Sequence, residues 1–488
     1  MFTDRGNSVF TTLIFNRILI NQKMKKRLIY LFTAICISIS SFAQKSPQPF
    51  INGDRVVFAG NSITEAGFYE TYIWLYYITH FPQRKIEVMN GGIGGDVARQ
   101  IYIRLDSDIL AKKPTVVSVS FGMNDSRYFE YWMHKNKTDS IRKSAIDTSY
   151  KWSERIINKL NKLKEVKKIM LASSPYDATV KNGKEPFEGK FKTMEGIVAF
   201  QKKAAIKNNW AYVDLFYLMT EMNKKGQQTD TAFTLTGPDR IHPGNAGHLV
   251  MAYLFLKAQG LANKPIADVE IDASNKKIIK AENATVSALN KKENSISFKY
   301  LAKSLPFPID STARVFLNPQ KQYEALSVIP FIKEFDQEML TVKGLEPNAN
   351  YGLNIDGKFI NTCKGTTLNK GINLALLSNT PQYQQAKQIA ELQLKRKDLE
   401  DKMRSFYWVS YDYLYDKGWF MHDTQAITDS VIAQAKKNPF INGKKDAYVE
   451  LHQRSSREKL QKEMDDMTTQ MYTLANPVVH TITIRKID

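Results

Sequence analysis

The sequence predicts an α/β protein over its first half: a parallel sheet buried on both faces, beginning near residue 50 and ending near residue 263. Two observations predict it. Short apolar runs (RVVFAG, IEVMNG, TVVSVSFG, KKIMLAS and WAYVDLF) are bounded by Gly, Asn or Pro, as suits strands covered on both sides. Amphipathic stretches such as YKWSERIINKLNKLKEV and MEGIVAFQKKAAIKNN lie between them, and this alternation implies right-handed crossovers with helices on both faces. Ligands of such sheets bind at the carboxyl ends of the strands, so the residues that end each run are the candidates for chemistry.

Ahead of this region, MKKRLIYLFTAICISISSFAQ starts at Met24 with a basic segment, continues with a short apolar run and reaches Ser41-Phe42-Ala43. That pattern predicts a secretory signal cleaved after Ala43, with residues 1–23 as an upstream extension. The apolar run is short for a membrane span, and Cys36 lies within it without a good lipobox. Export to the periplasm or cell surface of a bacterium is expected, with no stable membrane insertion after cleavage.

The 488 residues have room for two or three domains, and 43% hydrophobic content supplies a sizeable core. Beyond residue 43 only Cys363 remains, which excludes an intramolecular disulfide there. The histidines are scattered, with no H-E-x-x-H or cysteine cluster, so neither a metal nor another cofactor is expected. The net charge is +20, of which +15 lies outside residues 1–43. Its lysines fall on helix faces without a nucleic-acid motif, so nucleic acid is not an expected partner. An acidic polysaccharide, a membrane surface or simple solvation accounts for the charge. The oligomeric state has no signature.

Residues 44–263 are therefore expected to form one α/β domain. From 264 to 370 alternating stretches appear: NSISFKY, ARVFL, MLTVKGL and YGLNIDGKFI. Asp356-Gly357 between two of them signals a hairpin, and GLEPNANYGLNI resembles the Leu-x-Pro…Tyr corner of fibronectin-type sandwiches, so a small β-sandwich is expected. From 371 to 488 helices dominate. Ile389, Leu392, Leu399, Met403 and Phe406 form one apolar stripe, SSREKLQKEMDDMTTQMYTLA predicts a second helix, and HTITIRKID alternates like a strand returning to the β region. These stripes are read as core packing without chemistry.

The first apolar run ends in VVFAGNSITE, with Ser62 at the strand–helix corner. Ser62 and Glu65 have the S-x-x-E spacing of a capping box, which would make the serine structural. Three other stretches weigh against that. VMNGGIGGD (88–96) is a glycine-rich turn able to present backbone amides to an anion. SVSFGMND (118–125) brings Asn124 to the same sheet edge. GPDRIHPGNAGHLVMA (237–252) places Asp239 three residues before His242 in a loop, where a carboxylate can fix an imidazole tautomer and free Nε2 as a base. His248 falls inside the following helix and reads as structural.

In this order, GNSIT, NGGIGGD, GMND and DRIH resemble the four blocks of the SGNH (GDSL-type) hydrolases over roughly residues 54–260. The resemblance implies a three-layer α/β/α sandwich with a five-stranded parallel sheet. It implies Ser62 as nucleophile and oxyanion donor, Gly95 (with Gly94 adjoining) and Asn124 as further donors, His242 as general base and Asp239 as its orienter. Most members have Asp where this chain has Asn61, a change expected to preserve activity. The family handles many esters. Predicted export, a β-sandwich-like appendage and the lack of an apolar lid favour an acetylated glycan or another small ester, acted on by a carbohydrate acetylesterase. A lipid or lysophospholipid acylhydrolase and a catalytically silent glycan-binding protein are the alternatives. Tyr69, Tyr128 and Trp132 lie near the predicted edge and are read as core.

Overall fold

The computed structural model describes residues 44–487; the expected signal segment lies outside the described residues. Five strands form the first sheet: β1 (Arg55–Gly60), β2 (Glu87–Gly92), β3 (Val116–Val119), β4 (Lys167–Leu171) and β5 (Ala211–Val213). Their order is β2-β1-β3-β4-β5, and every pairing is parallel. The apolar runs become strands because both faces are covered: Val56, Val57 and Phe58 are wholly buried. The three-layer α/β/α sandwich expected from the sequence is present.

The helices of this layer include α1 (Ser62–Glu65), α2 (Phe68–His80), α3 (Ala98–Ile103), α4 (Thr138–Leu160), α5 (Lys190–Lys207), α6 (Phe216–Gln227) and α7 (Asn245–Ala258). All 13 residues of α2 are buried, unusual for a helix carrying six hydroxyl side chains. Three of its tyrosines solve the polar problem. Tyr72 accepts from Asn245 at 2.8 Å, Tyr76 donates to the Leu261 carbonyl at 3.3 Å, and Tyr77 donates to Gln259 at 3.0 Å.

The β region consists of β6 (Ala267–Asp272), β7 (Lys277–Glu282), β8 (Ala284–Lys292), β9 (Ser295–Ala302), β10 (Glu338–Lys343), β11 (Asn350–Ile355), β12 (Lys358–Lys364) and β13 (Ile372–Asn373). With β14 (His480–Ile487) it forms two sheets, β13-β10-β6-β7 and β12-β11-β14-β9-β8, which share one apolar core. Strand β14 is the terminal alternating stretch, and it inserts between β11 and β9. Asp356 and Gly357 both have positive φ (51° and 80°), as a tight hairpin turn demands. The Tyr351 hydroxyl accepts from the Glu346 amide at 3.0 Å, closing the tyrosine corner.

One expected strand is absent. ARVFL (313–317) is irregular, because the Arg314 and Val315 amides donate to the Asn245 side chain instead of to a neighbouring strand, and Leu317 has φ +57°. Leu305, Phe307, Phe331 and Phe335, from the connection between β9 and β10, pack into the core of the α/β layer.

The last region contains α8 (Pro381–Val409), α9 (Gln425–Ala435) and α10 (Arg454–Leu474). The amino-terminal half of α8 buries Ile389 against the α/β core, and Phe406 joins a separate helical core. Its buried side chains also include Gln393, Arg396, Lys397 and Arg404, each with a polar partner: the Thr71 carbonyl, Thr468 Oγ1, Asp401 and the Gly92 carbonyl, respectively. Among the described residues no helix is long and apolar enough to cross a membrane.

Candidate active site

At the end of β1 the chain turns sharply into α1. The N-cap is Asn61, whose Oδ1 accepts from the Ile63 amide at 3.0 Å. Ser62 is thereby relieved of the capping role, and the Glu65 carboxylate pairs with Lys444 at 2.7 Å instead of closing a box. Gly60 is required here: a Cβ would stand 2.1 Å from Thr64 Oγ1. Asn61 therefore performs the backbone function that an Asp would perform, without its charge.

Ser62 Oγ lies 2.9 Å from His242 Nε2, and His242 Nδ1 lies 2.5 Å from Asp239 Oδ2. The other Asp239 oxygen accepts from the Ile241 and His242 amides, both at 2.9 Å, so the carboxylate is gripped by its own loop. Burial would raise the Asp239 pKa, but its bonds to the His242 ring and to these amides outweigh that and hold it below the ordinary carboxylate value. An ionised carboxylate facing Nδ1 can only accept, so the ring presents its Nε2 lone pair to the serine. Arranged this way, an imidazole can take the proton of a hydroxyl that attacks an ester carbonyl.

Gly95 and Asn124 arrive from neighbouring strand ends. Gly95 has φ +90°, and nothing stands within 4 Å of where its Cβ would be. Among the described residues neither the Ser62 amide nor the Gly95 amide has an acceptor. Asn124 Nδ2 donates to the Asp96 carbonyl at 2.9 Å, while its Oδ1 accepts from the Tyr128 hydroxyl at 2.7 Å. The Asp96 carbonyl can only accept, so that first bond fixes which end of the carboxamide is the donor. Ser62, Asp239 and His242 thus meet in one cleft, while Gly95 and Asn124 follow the ends of the adjacent strands β2 and β3 and are not among the residues that line it.

His248 lies 1% exposed, stacked on Tyr69, and burial lowers its pKa to about 3. It stays neutral beside the site and is no rival base. Tyr69 is core, whereas Trp132 is 47% exposed and packs on Phe187 with ring centres 4.3 Å apart.

Several supporting residues were not singled out from the sequence, although Asp96 and Asp125 end the NGGIGGD and GMND blocks. Lys190 is fully buried, and its Nζ donates to the Met123 carbonyl, Ser126 Oγ and the Arg127 carbonyl at 2.6–2.8 Å. It stands 3.5 Å from the centre of the Tyr128 ring, and burial pushes its pKa well below that of an ordinary lysine. The buried Asp125 carboxylate accepts from the Gly122 and Ala98 amides and from Ser149. Arg104 joins Asp96 to Asp108 at 2.6 Å each and reaches the Gly60 carbonyl at 2.9 Å. A buried Lys or Arg is legible only once its acceptors are assembled in space, and these come from distant segments.

A cleft of about 820 Å³ opens over Ser62 and His242. Its walls come from all three regions: Phe68 from α2, Val315–Leu317 from the irregular segment, and Lys397, Asp401 and Ser405 from α8. Phe316 and Leu317 are 87% and 79% exposed, forming an apolar rim. Another cleft, of about 560 Å³, lies at the opposite edge of the sheet beside Lys45, Val116 and Lys167 and holds no serine–histidine pair. Among the described residues no group of three His, Cys, Asp or Glu side chains is placed to hold a metal.

Comparison with known proteins places the chain among esterases. Residues 56–255 match the family model "GDSL-like Lipase/Acylhydrolase", and residues 387–476 match "Diltiazem deacetylase C-terminal helical domain". A solved structure described as a gut microbial diltiazem-metabolizing enzyme is 40% identical, covers 91% of this chain and 100% of its own, and superposes with a TM-score of 0.88. The acetylxylan esterase of Geobacillus stearothermophilus is 27% identical over 224 residues, which are 43% of this chain and 95% of that relative.

Proposed function

The chain belongs to the GDSL-like lipase/acylhydrolase family, a serine hydrolase of carboxylic esters, and on that premise we propose that it removes acetyl or other short acyl groups from a carbohydrate. In this reading Ser62 attacks the ester carbonyl while His242 takes its proton, with Asp239 orienting the ring. The amides of Ser62 and Gly95 and the Asn124 carboxamide then receive the charge on the tetrahedral intermediate. His242 returns its proton to the leaving alcohol, and water hydrolyses the acyl-enzyme by the reverse sequence. The observation that carries the reading is the continuous line from Ser62 Oγ through His242 to Asp239 at the mouth of the cleft.

Sequence similarity to an acetylxylan esterase supports the carbohydrate. A second reading, an acetate ester on an aromatic small molecule, is favoured by the full-length similarity to a diltiazem-metabolizing enzyme and by the apolar rim at Phe316 and Leu317. The basic-then-apolar segment before Gln44 supports export to the periplasm or cell surface.

The test compares p-nitrophenyl acetate with longer acyl esters, using residues 44–488 and the Ser62→Ala variant. Short-chain activity that vanishes in the variant is expected. Rates of acetate release from acetylated xylo-oligosaccharides and from diltiazem then rank the two substrate readings. A steep rise with acyl length would favour a lipid acylhydrolase instead, and activity surviving in Ser62→Ala would remove Ser62 from the mechanism.

A further inference from the structure

Helix α8 holds the glycine turn from outside the α/β layer. Arg404 is 1% exposed, and its Nε donates to the Gly92 carbonyl at 2.8 Å while its two terminal nitrogens each reach Asp108 at 2.8 Å. Burial would raise the Asp108 pKa, but Arg404, Lys112 and Arg104 outweigh it and keep the carboxyl well below the ordinary range. One turn further along α8, Trp408 Nε1 donates to the Gly94 carbonyl at 3.0 Å. Glu400, one turn before Arg404, accepts from the Asn90 amide at 3.1 Å. Three successive turns of one helix therefore grip the backbone of residues 90–94.

The Trp408 contact has a specific consequence. The Gly94 carbonyl and the Gly95 N–H belong to one planar trans peptide, in which C=O and N–H point in opposite directions. Holding the oxygen on the α8 side fixes the N–H toward the other side, and a hydrogen bond to the oxygen polarises that N–H as a donor. The turn has little stiffness of its own, since four of its five residues from Gly91 to Gly95 are glycine.

We infer that Trp408 and Arg404 are positioning residues for the oxyanion site, so that the carboxy-terminal helical region is an obligatory part of the catalytic machinery. This rests on the proposed roles of Ser62 and Gly95. Neither side chain touches substrate; each acts through the peptide plane it holds.

Trp408→Phe tests the inference, because it keeps an aromatic ring at the position and removes the donor together with the pyrrole half of the indole. Its kcat is expected to fall about 10-fold, less than the 10²–10³ typical of losing an oxyanion donor outright. KM and the melting temperature are expected to stay near the parent values. A fluorophosphonate offers a second readout: Ser62 Oγ bonds to phosphorus, the P–F bond breaks, fluoride leaves and His242 takes the serine proton. That reaction also develops negative charge on an oxygen and is expected to slow in parallel. Arg404→Lys, which keeps the charge but not the Gly92 contact, gives the same readouts if Trp408→Phe misfolds. Full kcat in a folded variant overturns the inference, and so does a fall in kcat that merely tracks a lost melting temperature. An active Ser62→Ala would instead overturn the functional reading beneath it.

Discussion

Ser62 Oγ and His242 Nε2 meet at 2.9 Å although 180 positions separate them in the chain. Two unrelated anchors make this possible. Asn61 caps the short helix that begins at Ser62, and the His242 loop is fastened from behind by Asn318, which donates to the His242 carbonyl at 3.0 Å. Asn245, at the start of α7, donates to Tyr72 of α2 at 2.8 Å and locks the two halves of the site together.

Asp239→Asn is expected to lower kcat by about 10³–10⁴-fold with little change in KM, because an amide at this position favours the wrong imidazole tautomer. The native carboxylate is held below its ordinary pKa, so it stays ionised as pH falls into the normal carboxylate range. Its protonation therefore cannot limit activity near neutrality, and raising the pH is not expected to rescue the variant. A pH–rate profile of both proteins checks this; recovery at alkaline pH would show that Asp239 is not the orienting group.

Asn124→Ala removes a proposed oxyanion donor and is expected to reduce kcat by about 10²–10³-fold, or about 3–4 kcal/mol of transition-state stabilisation. Tyr128→Phe leaves the carboxamide in place but frees its Oδ1, so a smaller loss of about 10-fold is expected. The order of the two variants is the decisive result. If Tyr128→Phe were the worse one, Tyr128 would have a direct role and Asn124 a structural one.

The sheet was legible because strands buried on both faces leave short apolar runs bounded by Gly, Asn or Pro. The placement of the blocks was legible because three of them end strands, which puts Ser62, Gly95 and Asn124 at one edge, while the Asp239–His242 loop before α7 meets Ser62 only through the fold. ARVFL failed because its apolar alternation imitates a strand, while its amide partner is the distant Asn245 side chain. The stripe on α8 was visible, but Arg404 and Trp408 were not. Their meaning depends on backbone carbonyls more than 300 residues away, and a glycine carbonyl has no side chain through which a sequence could advertise it.

Two glycines of one turn are expected to respond differently to alanine. A Cβ on Gly92 would stand 2.1 Å from the Glu65 amide nitrogen and 2.6 Å from the Thr64 carbonyl carbon, both backbone atoms of α1. Gly92→Ala must displace the helix that begins at Ser62, and a loss of more than about 2 kcal/mol together with activity is expected. Gly95→Ala meets open space and has only its positive φ to overcome, so it is expected to fold with a loss of about 1 kcal/mol. Denaturant melts of both variants separate the cases, and equal stability would contradict the close approach.

A last prediction concerns the joint between the β region and α8. Glu338 is fully buried; its Oε1 accepts from Tyr300 and Gln382, each at 2.8 Å, and its Oε2 has no partner. Burial raises its pKa from 4.5 to about 7, against the pull of those two donors. A carboxyl whose pKa is raised in the folded protein supports stability below its unfolded pKa, and that support is lost as pH rises through the folded value. The parent should therefore lose stability between about pH 5 and pH 8 through this group. Glu338→Gln has no charge to desolvate, and its carbonyl can still accept from Tyr300 and Gln382. At pH 8 the variant is expected to be more stable than the parent by about 1–3 kcal/mol, and at pH 5 the difference should nearly vanish. Melts at the two pH values check this. An equal effect at both would mean that Glu338 keeps the same charge throughout, and that its partners and not its burial set its ionisation.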